Sequence, residues 1–121
     1  MIRQLRPSEF SNWRDSLQAA SADSGRSPTL PVVLDVREPW ELQTASVTPD
    51  GFTLICIPMR ELPARLGELP PERAIACLCH HGTRSLQVAQ YLLQNGFAPV
   101  VNLQGGIAAW SHELDPLVPQ Y

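Results

Sequence analysis

The chain has 121 residues, a length that suits one domain, residues 1–121, with a hydrophobic core of its own. Its net charge of −3 argues against nucleic acid as a partner, because phosphate binding needs a basic face. The sequence shows neither a secretion signal nor an apolar run of membrane length, so we expect no membrane association. Three cysteines, an odd number without an export signal, indicate reduced thiols and a cytoplasmic location.

The first predicted element is a helix that Ser8 caps and that buries Phe10, Trp13 and Leu17 on one face. The polar residues 21–28 then indicate a loop. Four later runs are short and apolar, which is typical of strands buried on both faces. They are residues 32–36, 54–57, 74–78 and 100–103.

Helices are predicted between these strands at residues 38–44, 62–69 and 84–95. After the last strand, residues 105–106 break the chain before a short helix that contains Ile107 and Trp110. The helix at 84–95 should bury Leu86, Ala89 and Leu93 and stop at Gly96. Strands that alternate with helices imply an α/β fold with a mostly parallel sheet of four or five strands, covered by helices on both faces. In open sheets of this kind the ligand sits beyond the carboxyl ends of the strands.

The segment that leaves the third strand carries the residues best suited to chemistry. It reads Cys-His-His-Gly-Thr-Arg-Ser over residues 79–85 and leads directly into a helix. Its backbone N–H groups can converge on an anion, and the start of the helix adds about half a positive charge. Gly82 permits the backbone angles of such a cradle. The guanidinium of Arg84 can donate two parallel hydrogen bonds to an oxyanion. Cys79 therefore lies where a thiolate nucleophile is stabilised.

The other cysteines and the two histidines allow plainer interpretations. Cys56 and Cys77 lie inside apolar strands, where a core role is favoured over catalysis. His80 and His81 either face solvent or help to bind an anionic substrate. Cys77, Cys79 and the histidines also suggest zinc, but structural zinc sites bring ligand pairs from separated segments. Because no second ligand group is evident, we expect no metal.

Four segments together resemble the rhodanese-like domain family in its single-domain form. They are residues 34–38 with Glu41, residues 57–58, residues 79–85, and residues 102–107 with Trp110. The resemblance runs from Ser8 to Trp110. It implies a rhodanese-like α/β fold and an enzyme that acts as a thiosulfate:acceptor sulfurtransferase.

The resemblance also implies roles for individual residues. Cys79 is the nucleophile that carries sulfur as a persulfide, and Asp35 and Arg37 are a charged pair that orders the pocket. Arg84 binds the sulfonate oxygens of the donor, and the backbone around it holds the transferred sulfur. The implied substrate-binding residues are His80, His81, Gly82, Thr83, Arg84 and Ser85.

The partners that the resemblance implies are small sulfur compounds and thiols. The donor is thiosulfate or another source of sulfane sulfur, including a persulfide. The acceptor is cyanide or a thiol, with thioredoxin or a sulfur-carrier protein as candidates. No cofactor is expected.

The chain departs from the family pattern at one place, and two other functions stay open. The family usually carries Gly-His-Ile and then Pro-Gly-Ala before the second strand, whereas residues 44–52 here contain no histidine. The alternatives are a cysteine-dependent phosphatase or arsenate reductase of the same fold, and a non-catalytic interaction module. Phosphatase and reductase loops place five residues between the cysteine and the arginine, and this chain has only residues 80–83 there. Interaction modules usually lack the cysteine.

Overall fold

A computed structural model describes residues 2–23, 30–97 and 99–121. The strands are β1 (Arg3–Leu5), β2 (Val32–Asp35), β3 (Thr53–Cys56), β4 (Ile75–Leu78) and β5 (Val100–Leu103). The helices are α1 (Phe10–Asp23), α2 (Pro39–Thr44), α3 (Leu62–Arg65), α4 (Thr83–Gln94) and α5 (Gly106–Glu113). Short 3₁₀ turns occupy Pro7–Glu9, Met59–Glu61 and Leu66–Glu68. Within the described residues, no helix combines the length and the apolar character needed to cross a bilayer.

The strands of the described residues form one parallel sheet in the order β1-β5-β4-β2-β3. In β2, Asp35 pairs in register with Leu78 of β4 on one side and with Cys56 of β3 on the other. Parallel strands end at the same edge of a sheet, so the residues that follow β2 and β4 emerge side by side. The α/β fold predicted from the sequence is confirmed.

Alternation along the strands divides the core into two layers. Leu34 and Cys77 point to the face that α3 and α4 cover, whereas Val33 and Ala76 point to the opposite face. That second face packs against α1 and α5 through a cluster of aromatic rings. The rings are those of Phe10, Trp13, Phe52 and Trp110. Burial of both layers explains why the central strands read as continuous apolar runs.

The four predicted strands are confirmed to within one residue at either end, but the sequence did not reveal β1. This edge strand has no apolar run, because Arg3 and Gln4 are exposed and only Leu5 is buried. The strand at the other edge of the sheet is β3. For this reason Cys56, which was expected in the core, is only partly buried.

The start and the end of α1 differ from the prediction. Ser8 does not cap the helix, because it lies inside the 3₁₀ turn Pro7–Glu9 that precedes α1. The turn is closed instead by the Arg6 N–H, which donates to Glu9 Oε1 over 2.9 Å. At its other end α1 includes residues 21–23, which were predicted to be loop; the remainder of that predicted loop, residues 24–28, lies outside the described residues.

The later helices are confirmed with two corrections. The predicted helix at 62–69 is α3 followed by the 3₁₀ turn Leu66–Glu68. In α4, Leu93 is 42% exposed although it was expected to be buried. The helix turns Val88 and Leu92 toward the sheet, which leaves Leu93 on the solvent side.

Candidate active site

Cys79 is the first residue after β4, and the short turn that follows brings its sulfur to the start of α4. Its side chain is almost completely buried, and its Sγ accepts the Gly82 N–H over 3.1 Å. Gly82, the residue before α4, has a φ of 102°. A side chain there would be strained and would approach the Gly105 nitrogen to 3.1 Å. The sulfur is thus held at the N-terminus of a 12-residue helix, where the helix dipole favours negative charge.

The N-terminus of α5 is hydrogen-bonded to the backbone of this loop. The Ile107 N–H donates to the Cys79 carbonyl over 2.8 Å, and the Ala108 N–H donates to the His80 carbonyl over 3.2 Å. In a trans peptide the C=O and the following N–H point in opposite directions. The N–H groups of His80 and His81 therefore point away from α5, which is the orientation that an anion cradle requires.

Gly106 lets α5 approach the loop this closely, and we expect Gly106→Ala to lower stability by about 2–4 kcal/mol. Its φ is 60°, and a Cβ at this position would collide with the carbonyl oxygens of Cys79 and His80. Urea unfolding measures the change. Gly67→Ala is the matched control, because Gly67 has no described atom within 4 Å of such a Cβ. Equal stability of the two variants would show that α5 does not constrain the loop.

Ser85 lies on the other side of the sulfur, in a buried chain of polar groups. Asn102 donates through Nδ2 to Gln4 Oε1 (2.9 Å) and to the Gly82 carbonyl (3.1 Å), so its Oδ1 must accept. The Ser85 Oγ lies 2.6 Å from that Oδ1 and 3.3 Å from Cys79 Sγ. Its single hydrogen can serve one of these acceptors at a time. Ser85 can therefore accept from a Cys79 thiol or turn and donate to a charged sulfur.

Arg84 does not present its guanidinium freely to the cradle, because Glu41 of α2 already binds it. Arg84 Nη1 and Nη2 each donate to one carboxylate oxygen of Glu41, both over 2.8 Å. Glu41 is buried, whereas the Arg84 side chain is 36% exposed. A guanidinium has five N–H donors, and this pairing uses two of them. The remaining edge of Arg84 is available to a second anion.

The Glu41 carboxylate is saturated with donors. Besides Arg84 it accepts the Glu38 N–H and the Tyr121 hydroxyl, each over 2.8 Å. Hydrogen bonding to Arg84 is the main reason that the pKa of Glu41 falls to about 2. The stabilisation from a lowered carboxyl pKa is complete above the unfolded value of about 4.3 and disappears as the pH falls through the folded value. Glu41 therefore stays charged throughout the neutral range.

Asp35 and Arg37 form a buried ion pair at the end of β2. Both side chains are almost inaccessible, and Arg37 Nε and Nη2 donate to the two Asp35 oxygens over 2.9 and 2.8 Å. The remaining guanidinium donors reach the carbonyls of Glu41 and Ala45 and the Tyr121 hydroxyl. The pair thereby fixes the backbone around α2, which carries Glu41.

The histidines and Thr83 lie on the outside of the loop. His81 and Thr83 are exposed, and His80 is half-buried. The His80 ring stacks on the His81 ring on one side and on the Tyr121 ring on the other, both with centroids 3.9 Å apart. Burial, with a contribution from the neighbouring His81, lowers the pKa of His80. His80 is therefore a neutral stacking surface at neutral pH and adds no positive charge to the cradle.

The other two cysteines have surroundings that disfavour a thiolate. Cys77 lies inside β4 and is completely buried, which raises the pKa of its thiol far above the usual value. Partial burial, followed by the charge of Asp35, also raises the pKa of the Cys56 thiol. Among the described residues, no group of three histidine, cysteine or acidic side chains is arranged to hold a metal ion.

Glu41, Asn102 and Tyr121 belong to this site although the sequence did not assign them to it. Besides its place among the family-like segments, Glu41 lies three residues after Glu38 at the start of a helix, which is the spacing of a capping box. Asn102 is a polar residue inside a strand that was predicted to be buried. Its side chain therefore needs a hydrogen-bond partner, but the sequence does not identify that partner. Nothing in the sequence around Tyr121 indicates contact with residues 80 positions earlier.

The sequence also identifies the family to which the chain belongs. The sequence profile of the Rhodanese-like domain family matches residues 14–113, so the chain belongs to this family. A sulfurtransferase of Allochromatium vinosum is 38% identical over 87 residues, which are 72% of this chain and 78% of that protein.

Solved structures show the same fold. A rhodanese-related protein from Thermoplasma volcanium superposes with a TM-score of 0.71 and 28% identity, over 98% of this chain and 99% of that one. A thiosulfate sulfurtransferase from Pseudomonas aeruginosa gives a TM-score of 0.65 and 29% identity over 92% of this chain. The match covers 19% of the Pseudomonas chain, so this chain is similar to one part of a longer protein.

Proposed function

We propose that this protein is a sulfurtransferase that carries sulfane sulfur as a persulfide on Cys79. The observation that supports the proposal most directly is the position of Cys79 Sγ. It lies against the Gly82 amide at the start of α4, with Ser85 as a second hydrogen-bond partner. Amide donors at a helix N-terminus stabilise a thiolate and then a persulfide anion in the same place. The similarity to a sulfurtransferase over 72% of the chain supports the same chemistry.

The reaction we propose has two displacements at sulfur. The Cys79 thiolate attacks the outer sulfur of thiosulfate, a Cys–S–S bond forms, and the S–S bond of the donor breaks. Sulfite leaves with the bonding electron pair. A thiolate or cyanide then attacks the outer sulfur of the persulfide, and Cys79 leaves as a thiolate ready for another cycle. No proton transfer is required at the sulfur atoms, which suits a site whose nearest histidine is stacked and neutral.

Thiosulfate is the donor that this site suits best. Its sulfonate carries negative charge, and the edge of Arg84 that Glu41 does not use offers N–H donors in a fixed plane. The N–H groups of the loop hold the transferred sulfur, while His80 forms a wall by stacking. In this proposal Asp35 and Arg37 order the pocket through α2 and take no part in the bond changes. The acceptor is a small thiol, thioredoxin or a sulfur-carrier protein.

Phosphate ester hydrolysis is the rival reaction, and the length of the loop disfavours it. A phosphoryl group brings three oxygens that all need donors, but only four residues separate Cys79 from Arg84, which limits the amides that can converge. We therefore expect rapid thiosulfate turnover and negligible hydrolysis of aryl phosphates.

The experiment that tests the proposal is intact-protein mass spectrometry after incubation with thiosulfate, run beside an aryl phosphate assay. The expected result is a mass increase of one sulfur atom that maps to the Cys79 peptide and disappears when cyanide is added. An unmodified protein, or phosphatase activity that depends on Cys79, would refute the proposed reaction. A protein without turnover on either substrate would favour the interaction module.

For Arg84→Ala we expect a rise of about 10- to 100-fold in the KM for thiosulfate, the size of a lost hydrogen-bonded charge. Arg84→Lys should retain part of the affinity, since it keeps the charge but loses the planar fork. Steady-state kinetics with cyanide as acceptor measures both. Arg65→Ala is the control, because Arg65 also pairs with carboxylates but belongs to α3. Unchanged kinetics for Arg84→Ala would exclude Arg84 from donor binding.

A further inference from the structure

Tyr121 packs against His80 of the loop and also contacts Trp40 and Arg37. Its ring is parallel to that of His80, with an angle of 7° between planes and 3.9 Å between centroids. The Trp40 ring meets it edge-on at 6.2 Å, and the Arg37 guanidinium lies 5.7 Å from its centroid. A ring with three such neighbours has a defined position, so its hydroxyl group is also placed with precision.

The Tyr121 hydroxyl links the side chains of two ion pairs, whose residues are also joined by the hydrogen bond from Arg37 Nη1 to the Glu41 carbonyl. Arg37 Nη1 donates to it over 3.0 Å, and it donates to Glu41 Oε1 over 2.8 Å. The direction of these bonds is fixed, because a guanidinium can only donate and a carboxylate can only accept. Burial and the bond to Glu41 raise the pKa of Tyr121, so the phenol keeps the proton that it donates.

The result is one continuous polar chain from the core of the sheet to the start of α4. It runs through Asp35, Arg37, Tyr121, Glu41 and Arg84. The first pair is fully buried at the end of β2, whereas the Arg84 end is 36% exposed. A buried end thus supports a solvent-exposed end, and the Tyr121 hydroxyl is the group that connects Arg37 to the Glu41 carboxylate.

We propose that Tyr121 is a positioning residue for donor binding, because its hydroxyl holds Glu41 and thereby the guanidinium of Arg84 in the orientation that receives an oxyanion. This inference rests on the proposed function only for the identity of the anion, thiosulfate. Without the hydroxyl, Glu41 Oε1 loses a donor and Arg37 loses an acceptor. The Glu38 N–H still holds the other carboxylate oxygen, but the Glu41–Arg84 pair is less constrained. The Cys79 sulfur keeps its own partners, Gly82 and Ser85.

The test compares Tyr121→Phe with Tyr91→Phe. Each removes one hydroxyl and keeps the ring, and Tyr91 is the other of the two tyrosines in the chain. Tyr91 belongs to α4 and lines a groove with Met59 and Leu62, away from the polar chain. Urea unfolding first establishes that both variants are folded; if Tyr121→Phe is not, Tyr121→Trp takes its place, since it also lacks the hydroxyl but retains an aromatic ring.

Two readouts then separate positioning from a merely structural role. In NMR spectra, with the signals assigned by their loss in Arg84→Lys, we expect the Arg84 guanidinium N–H groups of Tyr121→Phe to exchange about 5-fold faster or more than in wild type. In kinetics we expect the KM for thiosulfate to rise by about 3- to 10-fold, with kcat within about 2-fold of wild type. Discharge of the preformed Cys79 persulfide to cyanide should keep its rate.

The outcomes distinguish this inference from the proposed function. Slow guanidinium exchange in Tyr121→Phe, equal to that of Tyr91→Phe, overturns the inference whether or not the protein transfers sulfur. Faster exchange with an unchanged KM overturns the role in donor binding and leaves the sulfurtransferase proposal intact. If wild type takes no sulfur from thiosulfate, the proposed function fails, and the affinity of sulfite for wild type and Tyr121→Phe then decides whether Tyr121 positions Arg84 for an oxyanion.

Discussion

Cys79→Ser is expected to lower thiosulfate sulfurtransferase activity by about 1,000-fold or more, because a serine hydroxyl cannot form the persulfide on which turnover depends. The substitution changes one atom in a side chain that is 1% exposed, and its oxygen can keep the hydrogen bonds to Gly82 and Ser85. Loss of activity would therefore reflect lost chemistry and not a lost fold. Cyanide-coupled turnover measures the activity, and circular dichroism checks the fold.

The other two cysteines supply the controls for this result. Cys56→Ser should keep most of the activity, since Cys56 is partly exposed on the edge strand β3 and lies outside the loop. Cys77→Ser should also turn over, although it places a hydroxyl in the apolar layer beneath α4 and lowers stability. A folded Cys77→Ser protein that is as inactive as Cys79→Ser would overturn the assignment of the nucleophile.

Much of the environment of Cys79 could be predicted from local sequence. The apolar run that ends at Leu78 and the helical pattern after Gly82 place Cys79 at a strand-to-helix junction. At such a junction, helix geometry supplies both the amide donors and the dipole, independently of the rest of the chain. In the structure the Gly82 N–H donates to the Cys79 sulfur, as expected at such a junction. What could be predicted was therefore the part of the site that one short segment builds by itself.

The electrostatic state of Arg84 could not be predicted in this way. From the loop alone, Arg84 is the fixed positive charge of the cradle, but in the structure Glu41 from α2 neutralises it at 2.8 Å. The two residues are 43 positions apart, and their contact depends on β2 and β4 being neighbours in the sheet. Strand order is a property of the whole chain. Tyr121 and Asn102 were missed for the same reason, since each bonds to residues far away in sequence.

The edge strands show the same limit in the fold. β1 has three residues, of which only Leu5 is buried, so it lacks the hydrophobic pattern that identifies a strand. Its existence depends on backbone pairing with β5, where Leu5 lies opposite Leu103. The central strands could be predicted because burial on both faces requires apolar residues along their whole length. An edge strand is partly exposed and has no such requirement.

The largest effect on stability is expected for Arg37→Met, which should lower the free energy of unfolding by about 3–5 kcal/mol. Methionine fills much of the space of the arginine stem but leaves the Asp35 carboxylate buried without its counter-charge. It also removes donors from the carbonyls of Glu41 and Ala45. Urea unfolding measures the change, and the linkage to Tyr121 predicts that thiosulfate affinity falls in whatever fraction stays folded.

Arg60→Met is the matched control for this substitution. Arg60 also faces a carboxylate, Glu38, but at 3.5 Å and with 73% of its side chain exposed, so its loss should cost no more than about 0.5 kcal/mol. The double variant Asp35→Asn/Arg37→Met supplies the decisive comparison. If Arg37→Met is destabilising because the Asp35 carboxylate is left buried without a counter-charge, the double variant should be at most about 1 kcal/mol less stable than Arg37→Met alone. Additive losses would instead mean that Asp35 and Arg37 act through separate partners, and that the pair is not the support on which α2 and Glu41 rest.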